Sequence, residues 1–342
     1  MKEKHRIKDK PSRAFIWIRR GIFLLLVLTV FIVAGFVYEG IASWTNKKNY
    51  PMPGELVDAG GYRLHIQTVG NQPVTIVLEA GSGETSLSWG DIPKELSEDF
   101  TVVSYDRGGY GWSEKANSER SGENIVKELH NALQEAGLPG PYVLVGHSLG
   151  GMYTRLFANT YSDEVIGLVL VDARPEDDEK RTASIYAKEK FQSKPSADVL
   201  ALLKSSGVLR LFQDVLLEGM IEKEERGRFI NVTASPDYFH AVEEEGKYST
   251  ALEDILRGQD LGDLPVRVIA RGLAPDYAAA GITDKAAAQI EQIWREGQEA
   301  MLLLSSNSKL VIAEQSGHMV MKDQPELVKE VIRELIDDIK SK

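Results

Sequence analysis

Apolar and polar positions divide this chain into one long uncharged stretch and a series of short apolar runs separated by helical stripes. The uncharged stretch is residues 21–38, 18 residues in all. As a helix it spans about 27 Å, close to the hydrocarbon thickness of a bilayer. Residues 55–59 and 62–69 alternate about Gly60-Gly61, a hairpin pattern. Residues 74–78, 101–105, 142–145, 165–171, 266–270 and 310–313 are short apolar runs that predict buried strands. Residues 89–96, a stripe through Ile125, Val126, Leu129 and Leu133, and residues 152–158, 286–304 and 325–339 predict helices. Such alternation, with strands apolar throughout, predicts an α/β fold whose parallel sheet is covered on both faces. The rhythm breaks across residues 173–263, a charged segment with helical candidates at 197–203 and 248–256. It reads as an inserted helical lid.

The pattern divides the chain into a basic tail (1–20), a transmembrane helix (21–38), a linker rich in proline and polar residues (39–54), a core in two parts (55–172 and 264–342) and the lid (173–263) between them. Charge orients the apolar stretch. Residues 1–38 carry eight Lys and Arg against Glu3 and Asp9, although the whole chain is at −11. A basic flank on the N-terminal side places the tail in the cytoplasm and the body outside it. A single-pass signal anchor is favoured over a cleaved signal peptide and a secreted body. The apolar core exceeds the usual signal-peptide length, and Gly40-Ile41-Ala42 is a poor cleavage site. The acidic body argues against nucleic acid as a partner, because phosphate would be repelled. The absence of cysteine excludes disulfides, a zinc-thiolate centre and a thiol nucleophile.

The chemistry centres on Gly146-His147-Ser148-Leu149-Gly150, between a predicted strand and a predicted helix. That context is what the G-x-S-x-G nucleophile elbow requires, so Ser148 is the candidate nucleophile. A serine needs a base held by a third group. Of the six histidines, His318 lies in the loop after the last strand, which sheet topology returns to the strand ends; it is the candidate base. His147 adjoins the serine but should point away from it. The acid is Asp172, which ends a strong strand, or alternatively Asp276 in the loop after the next strand. Asp106 and Arg107 read as a local, structural charge pair. Backbone N–H groups of Leu149 and Ser82 are the candidate oxyanion donors. Motifs for metal or phosphate are missing, and the chemistry needs no cofactor.

Gly-His-Ser148-Leu-Gly-Gly, the run from Asp106-Arg107 to Ser113, and Ser-Gly-His318 before a Gln-Pro-Glu helix together resemble the α/β-hydrolase fold superfamily, over roughly residues 55–340. The resemblance implies an eight-stranded, mostly parallel sheet, a helical cap after the sixth strand, and a Ser-His-acid triad with the acid after strand six or seven. Glu79-Ala80-Gly81 stands where many members carry His-Gly, so the hydrogen bonds shaping that loop must differ. A serine at the elbow argues against the dehalogenase and epoxide-hydrolase branches, which use aspartate there. The expectation is a membrane-anchored serine hydrolase of carboxylic esters, with a small-molecule or lipid-like substrate. An amidase or aminopeptidase of the same fold, and a catalytically silent binding protein, are the alternatives.

Overall fold

The computed structural model describes residues 13–189 and 195–341. His5, most of the basic tail and residues 190–194 of the expected lid lie outside it. The chain divides into two compact units. One joins the N-terminal residues up to Tyr50 with Leu202–Asn231; the other comprises Pro51–Ala201 and Val232–Lys342.

The larger unit is built on an eight-stranded sheet: β1 (Glu55–Asp58), β2 (Arg63–Val69), β3 (Thr75–Glu79), β4 (Thr101–Tyr105), β5 (Tyr142–His147), β6 (Val165–Val171), β7 (Val266–Arg271) and β8 (Ser308–Ala313). The order is β1-β2-β4-β3-β5-β6-β7-β8. The first two pairings, β1 with β2 and β2 with β4, are antiparallel. The rest are parallel. Every strand run in the sequence therefore forms a strand, and the expected mostly parallel sheet is found.

Alternation along each strand feeds two cores. Val77, Leu144, Leu168 and Leu170 face one side, with the helices Gly122–Glu135 and Leu149–Thr160. Ile76, Leu78, Val143, Val145, Val169 and Val171 face the other, with Ile92–Leu96 and Pro325–Lys340. Period-two strands thus become apolar on both faces, which is why they read as continuous runs.

Two helices depart furthest from the sequence pattern. The helix expected over 89–96 is broken, because Gly90 takes φ 53° between a 3-10 turn at Ser86–Trp89 and the helix Ile92–Leu96. The helix expected over 248–256 begins earlier, at Pro236, where the Ser235 hydroxyl accepts from the Tyr238 N–H and caps it. Between β6 and β7 the described residues form helices and turns.

Asp106 and Arg107 do not pair with one another as the sequence had implied. Asp106 accepts from the Ser86 N–H at 2.7 Å and the Trp112 N–H at 3.0 Å, and meets His65 Nδ1 at 2.9 Å. Arg107 is buried between Glu79 at 2.7 Å and Glu245 at 2.9 Å. It also donates to the carbonyls of Ala80 and Gly81. It thereby locks the helix Pro236–Leu256 to the loop after β3. Burial pushes the Glu79 carboxyl up to about 6, with Arg107 opposing that rise.

In the smaller unit, Arg13–Asn46 is one 34-residue helix, long and apolar enough to cross a membrane or to serve as a signal sequence.

Arg107→Met would strand two buried carboxylates and should destabilise the larger unit by about 3–5 kcal/mol at neutral pH. Urea unfolding followed by tryptophan fluorescence measures this, and an unchanged midpoint would contradict the role assigned to Arg107.

Candidate active site

The site is assembled at the carboxyl ends of β5 to β8. β5 ends at His147, and Ser148 turns the chain directly into the helix Leu149–Thr160. Ser148 takes φ 50° and ψ −121°, a conformation disfavoured for an L-residue. Close approach explains the flanking glycines. A Cβ on Gly146 would lie 2.6 Å from the Gly150 carbonyl oxygen. One on Gly150 would lie 2.5 Å from the Glu79 carbonyl oxygen and 2.6 Å from that of Ala80. The elbow thus rests on the backbone of the loop that follows β3. Ser148 is half-buried while both its chain neighbours are fully buried.

β6 ends beside it. The Ser148 N–H donates to the Val171 carbonyl at 3.2 Å, and the next residue, Asp172, is buried with φ 38°. Asp172 meets His318 Nδ1 at 2.6 Å. It also accepts from the indole of Trp294 at 2.9 Å, the Arg271 guanidinium at 3.0 Å and the Arg271 backbone N–H at 3.2 Å. Burial alone would raise its pKa. The His318 contact, the Arg271 charge and the Trp294 bond outweigh that and hold it below the usual carboxylate value. Asp276, the alternative acid, is exposed and accepts from the Ala279 backbone N–H within its own loop. The structure brings His318 to Asp172.

His318 stands in the loop after β8. That loop is pinned by the Ser316 carbonyl, which accepts from the Gly272 and Leu273 N–H groups, and by Asp323, which accepts from the Ser316 hydroxyl and the Gly317 N–H. The half-exposed imidazole packs against the edge of Trp294 and lies 4.6 Å, centroid to centroid, from the His147 ring.

Leu149 opens its helix, so its N–H has no intrahelical acceptor. Ser82 is exposed on the loop against which Gly150 packs. That loop is shaped by Glu84, whose carboxylate accepts from the Gly81 N–H at 3.0 Å and meets His147 Nδ1 at 2.9 Å. His147 Nε2 in turn reaches the His318 carbonyl at 2.8 Å. The buried His147 thus ties the loop after β3 to the loop after β8. Burial opposes its charged form, but the Glu84 carboxylate prevails and raises its pKa; reciprocally, Glu84 is lowered despite burial.

Sequence reasoning missed Glu84, Arg271 and Trp294. Arg271 bridges Asp172 and Glu291 and stacks over Trp294, 4.4 Å from the ring centre. The available signal was a charge at the carboxyl end of a buried strand, Val266–Arg271, although Arg267 in the same strand dilutes it. Trp294 had no such signal, since it lies far from the other site residues in sequence, and Glu84, although only two residues from Ser82, is placed by its contacts with Gly81 and His147, which no local pattern shows.

A parallel sheet with a strained serine at the end of its central strand, and a histidine–aspartate pair delivered from later strands, defines a class of protein. The chain belongs to the alpha/beta hydrolase family, whose model matches residues 76–331. It is 26% identical over 290 residues to an AB hydrolase superfamily protein of Gibberella zeae, covering 79% of this chain and 88% of that protein. It is 27% identical over 270 residues to YqjL of Bacillus subtilis, covering 78% and 86%. Among solved structures, a thermophilic esterase from Thermogutta terrifontis superposes with a TM-score of 0.60 at 20% identity, over 83% of this chain and 98% of that one. The epoxide hydrolase CorEH gives 0.59 at 19% identity, over 83% and 98%. At these identities the structures show the shared fold.

The Glu84–His147 pair should leave a pH signature. Glu84 is lowered, so its contribution is present above its unfolded value and is lost as pH falls through its folded value. His147 is raised, so its contribution is full below its unfolded value and is lost as pH rises through its folded value. The stability cost of Glu84→Gln should therefore be largest near about pH 5.5 and smaller at about pH 8.5. Urea midpoints of both proteins at the two pH values check this, and a cost that grows with pH would contradict it.

Proposed function

We propose that the protein is a membrane-anchored serine hydrolase that cleaves carboxylic esters through an acyl-enzyme on Ser148. The observation that carries this reading is the 2.6 Å contact between His318 Nδ1 and the buried Asp172, set beside a serine in a strained elbow. An ionised Asp172 accepts from Nδ1–H, which fixes the tautomer and leaves Nε2 as the basic nitrogen. His318 Nε2 takes the Ser148 proton as the serine oxygen attacks the ester carbonyl carbon. The backbone N–H groups of Leu149 and Ser82 receive the developing oxyanion. The imidazolium then gives its proton to the leaving alcohol. A water deprotonated by the same nitrogen attacks the acyl-enzyme, releasing the acid and restoring Ser148. The esterase among the fold neighbours is consistent with this chemistry.

The anchor is the helix Arg13–Asn46. Its basic flank holds residues 1–20 in the cytoplasm and places the catalytic unit outside, and the helix Pro236–Leu256, within the segment inserted between β6 and β7, contributes to the cover of the substrate pocket. The helix's uncharged 18 residues are exposed almost throughout, as expected of a surface that faces lipid.

On a model ester, Ser148→Ala should abolish turnover, and Asp172→Asn should lower kcat by about four orders of magnitude. Asp276→Asn should leave kcat within about twofold, as for a surface change. Full esterase activity in Ser148→Ala, or a larger loss in Asp276→Asn than in Asp172→Asn, would overturn the assignment.

A further inference from the structure

The smaller unit carries an apolar surface that the catalytic chemistry does not use. Leu202, Leu211, Phe212, Val215, Leu216 and Met220 are all exposed, Val215 and Met220 by more than 70%. Leu202 lies on the helix Ala197–Ser205, and the others occupy the short helices Val208–Leu211 and Gln213–Leu216 and the turns beside them. So many large apolar side chains in so short a stretch mark an interaction surface.

What lies against them follows from how the stretch is fastened. Glu39 is buried on the N-terminal helix, directly after the uncharged residues 21–38. It pairs with Lys204, and with Arg210 at 2.7 Å and 2.9 Å. Ser43, one turn on, donates to Glu39 at 2.7 Å. Arg210 also donates to Asn231 at 2.9 Å, tying the far end of the segment Leu202–Asn231 to the same point. The backbones touch as well. A Cβ on Gly35 would lie 2.4 Å from the Ser206 carbonyl oxygen, and one on Gly207 would lie 3.1 Å from the Gly35 carbonyl oxygen. The stretch is therefore fixed to the helix between residues 35 and 43, where the uncharged run ends at Tyr38.

The depth can be estimated. Gly35 lies three residues inside Tyr38, the last residue of the uncharged run, which is about 4.5 Å along a helix axis. Interfacial helices bury their apolar face about 5–10 Å into the boundary of headgroups and acyl chains. The fastening thus sets the apolar residues at that boundary. Its charges are largely paired: Lys204 and Arg210 share the Glu39 carboxylate, and Asp214 pairs with Arg226 at 2.9 Å.

We propose that residues 202–220 form an interfacial membrane element, docked on the anchor helix through Glu39, with its exposed apolar side chains in the surface of the lipid bilayer. The inference rests on the membrane-anchor reading above and adds that the insert itself touches lipid.

The chain has no cysteine, so single-cysteine variants of the full-length protein can be labelled selectively. Val215→Cys, Phe31→Cys and Ser306→Cys would each carry an environment-sensitive fluorophore in phosphatidylcholine vesicles. The vesicles would contain lipids with a doxyl quencher either near the headgroup or deep in the acyl chain. The label at position 215 should be quenched by the shallow lipid at least about twofold more than the label at position 306, as for a residue in the boundary layer. The label at 31 should be quenched by the deep lipid. Quenching at 31 with none at 215 beyond that at 306 overturns the inference and leaves the anchor standing. Blue-shifted emission at 215 without lipid quenching also overturns it, since a second copy or another protein then covers the patch. Absence of quenching at 31 refutes the anchor, and the signal at 215 then decides the interfacial claim by itself.

Discussion

A carboxylate buried at the end of a parallel sheet is the constraint on which the site depends. Asp172 is sealed from water, and an isolated charge there would protonate rather than remain ionised. It stays ionised because side chains from three later elements converge on it: Arg271 from the end of β7, Trp294 from the helix Asp284–Ala300, and His318 from the loop after β8. None of these partners is close to Asp172 in sequence, so the sheet must be complete before the acid has its donors. Folding and the site's charge state are thereby coupled.

The same region stores backbone strain. Ser148 and Asp172 are both non-glycine residues with positive φ, at the ends of adjacent strands. Such positions cost about 1–3 kcal/mol each and persist only where their surroundings enforce them. Here the enforcement is visible. Gly146 and Gly150 let the elbow backbone close onto itself and onto the Glu79–Ala80 carbonyls, and Ser148 bonds by backbone to the strand that ends in Asp172. Glu84 and His147 then link the loop after β3 to the loop after β8. Two loops from distant parts of the chain are held in register by one buried ion pair.

Much of this was legible in the sequence, for a physical reason. A sheet covered on both faces demands apolar residues at every strand position, so its strands stand out as continuous runs. A nucleophile elbow demands small residues at fixed spacing, so Ser148 stands out as well. The late loop of His318 followed from sheet topology. The pairing of His318 with Asp172, and its separation from Asp276, did not, because it depends on how far each aspartate projects past its strand end. Arg107 was misread as a partner of its neighbour Asp106. Asp106 turns to His65 and to the N–H groups of Ser86 and Trp112, and Arg107 turns to Glu79 and Glu245. Glu39 lay in what looked like a linker. Its partners Lys204 and Arg210 are far along the chain, and no local pattern announces such a contact.

The central claim is that Ser148 is a nucleophile activated by the His318–Asp172 pair. Intact-mass analysis of the full-length protein after reaction with a fluorophosphonate, followed by peptide mapping, tests it most directly. The account requires a single covalent adduct, located on Ser148 and lost when His318 is replaced by alanine in a protein that still folds. No adduct on folded wild-type protein, or an adduct on another residue, would contradict it.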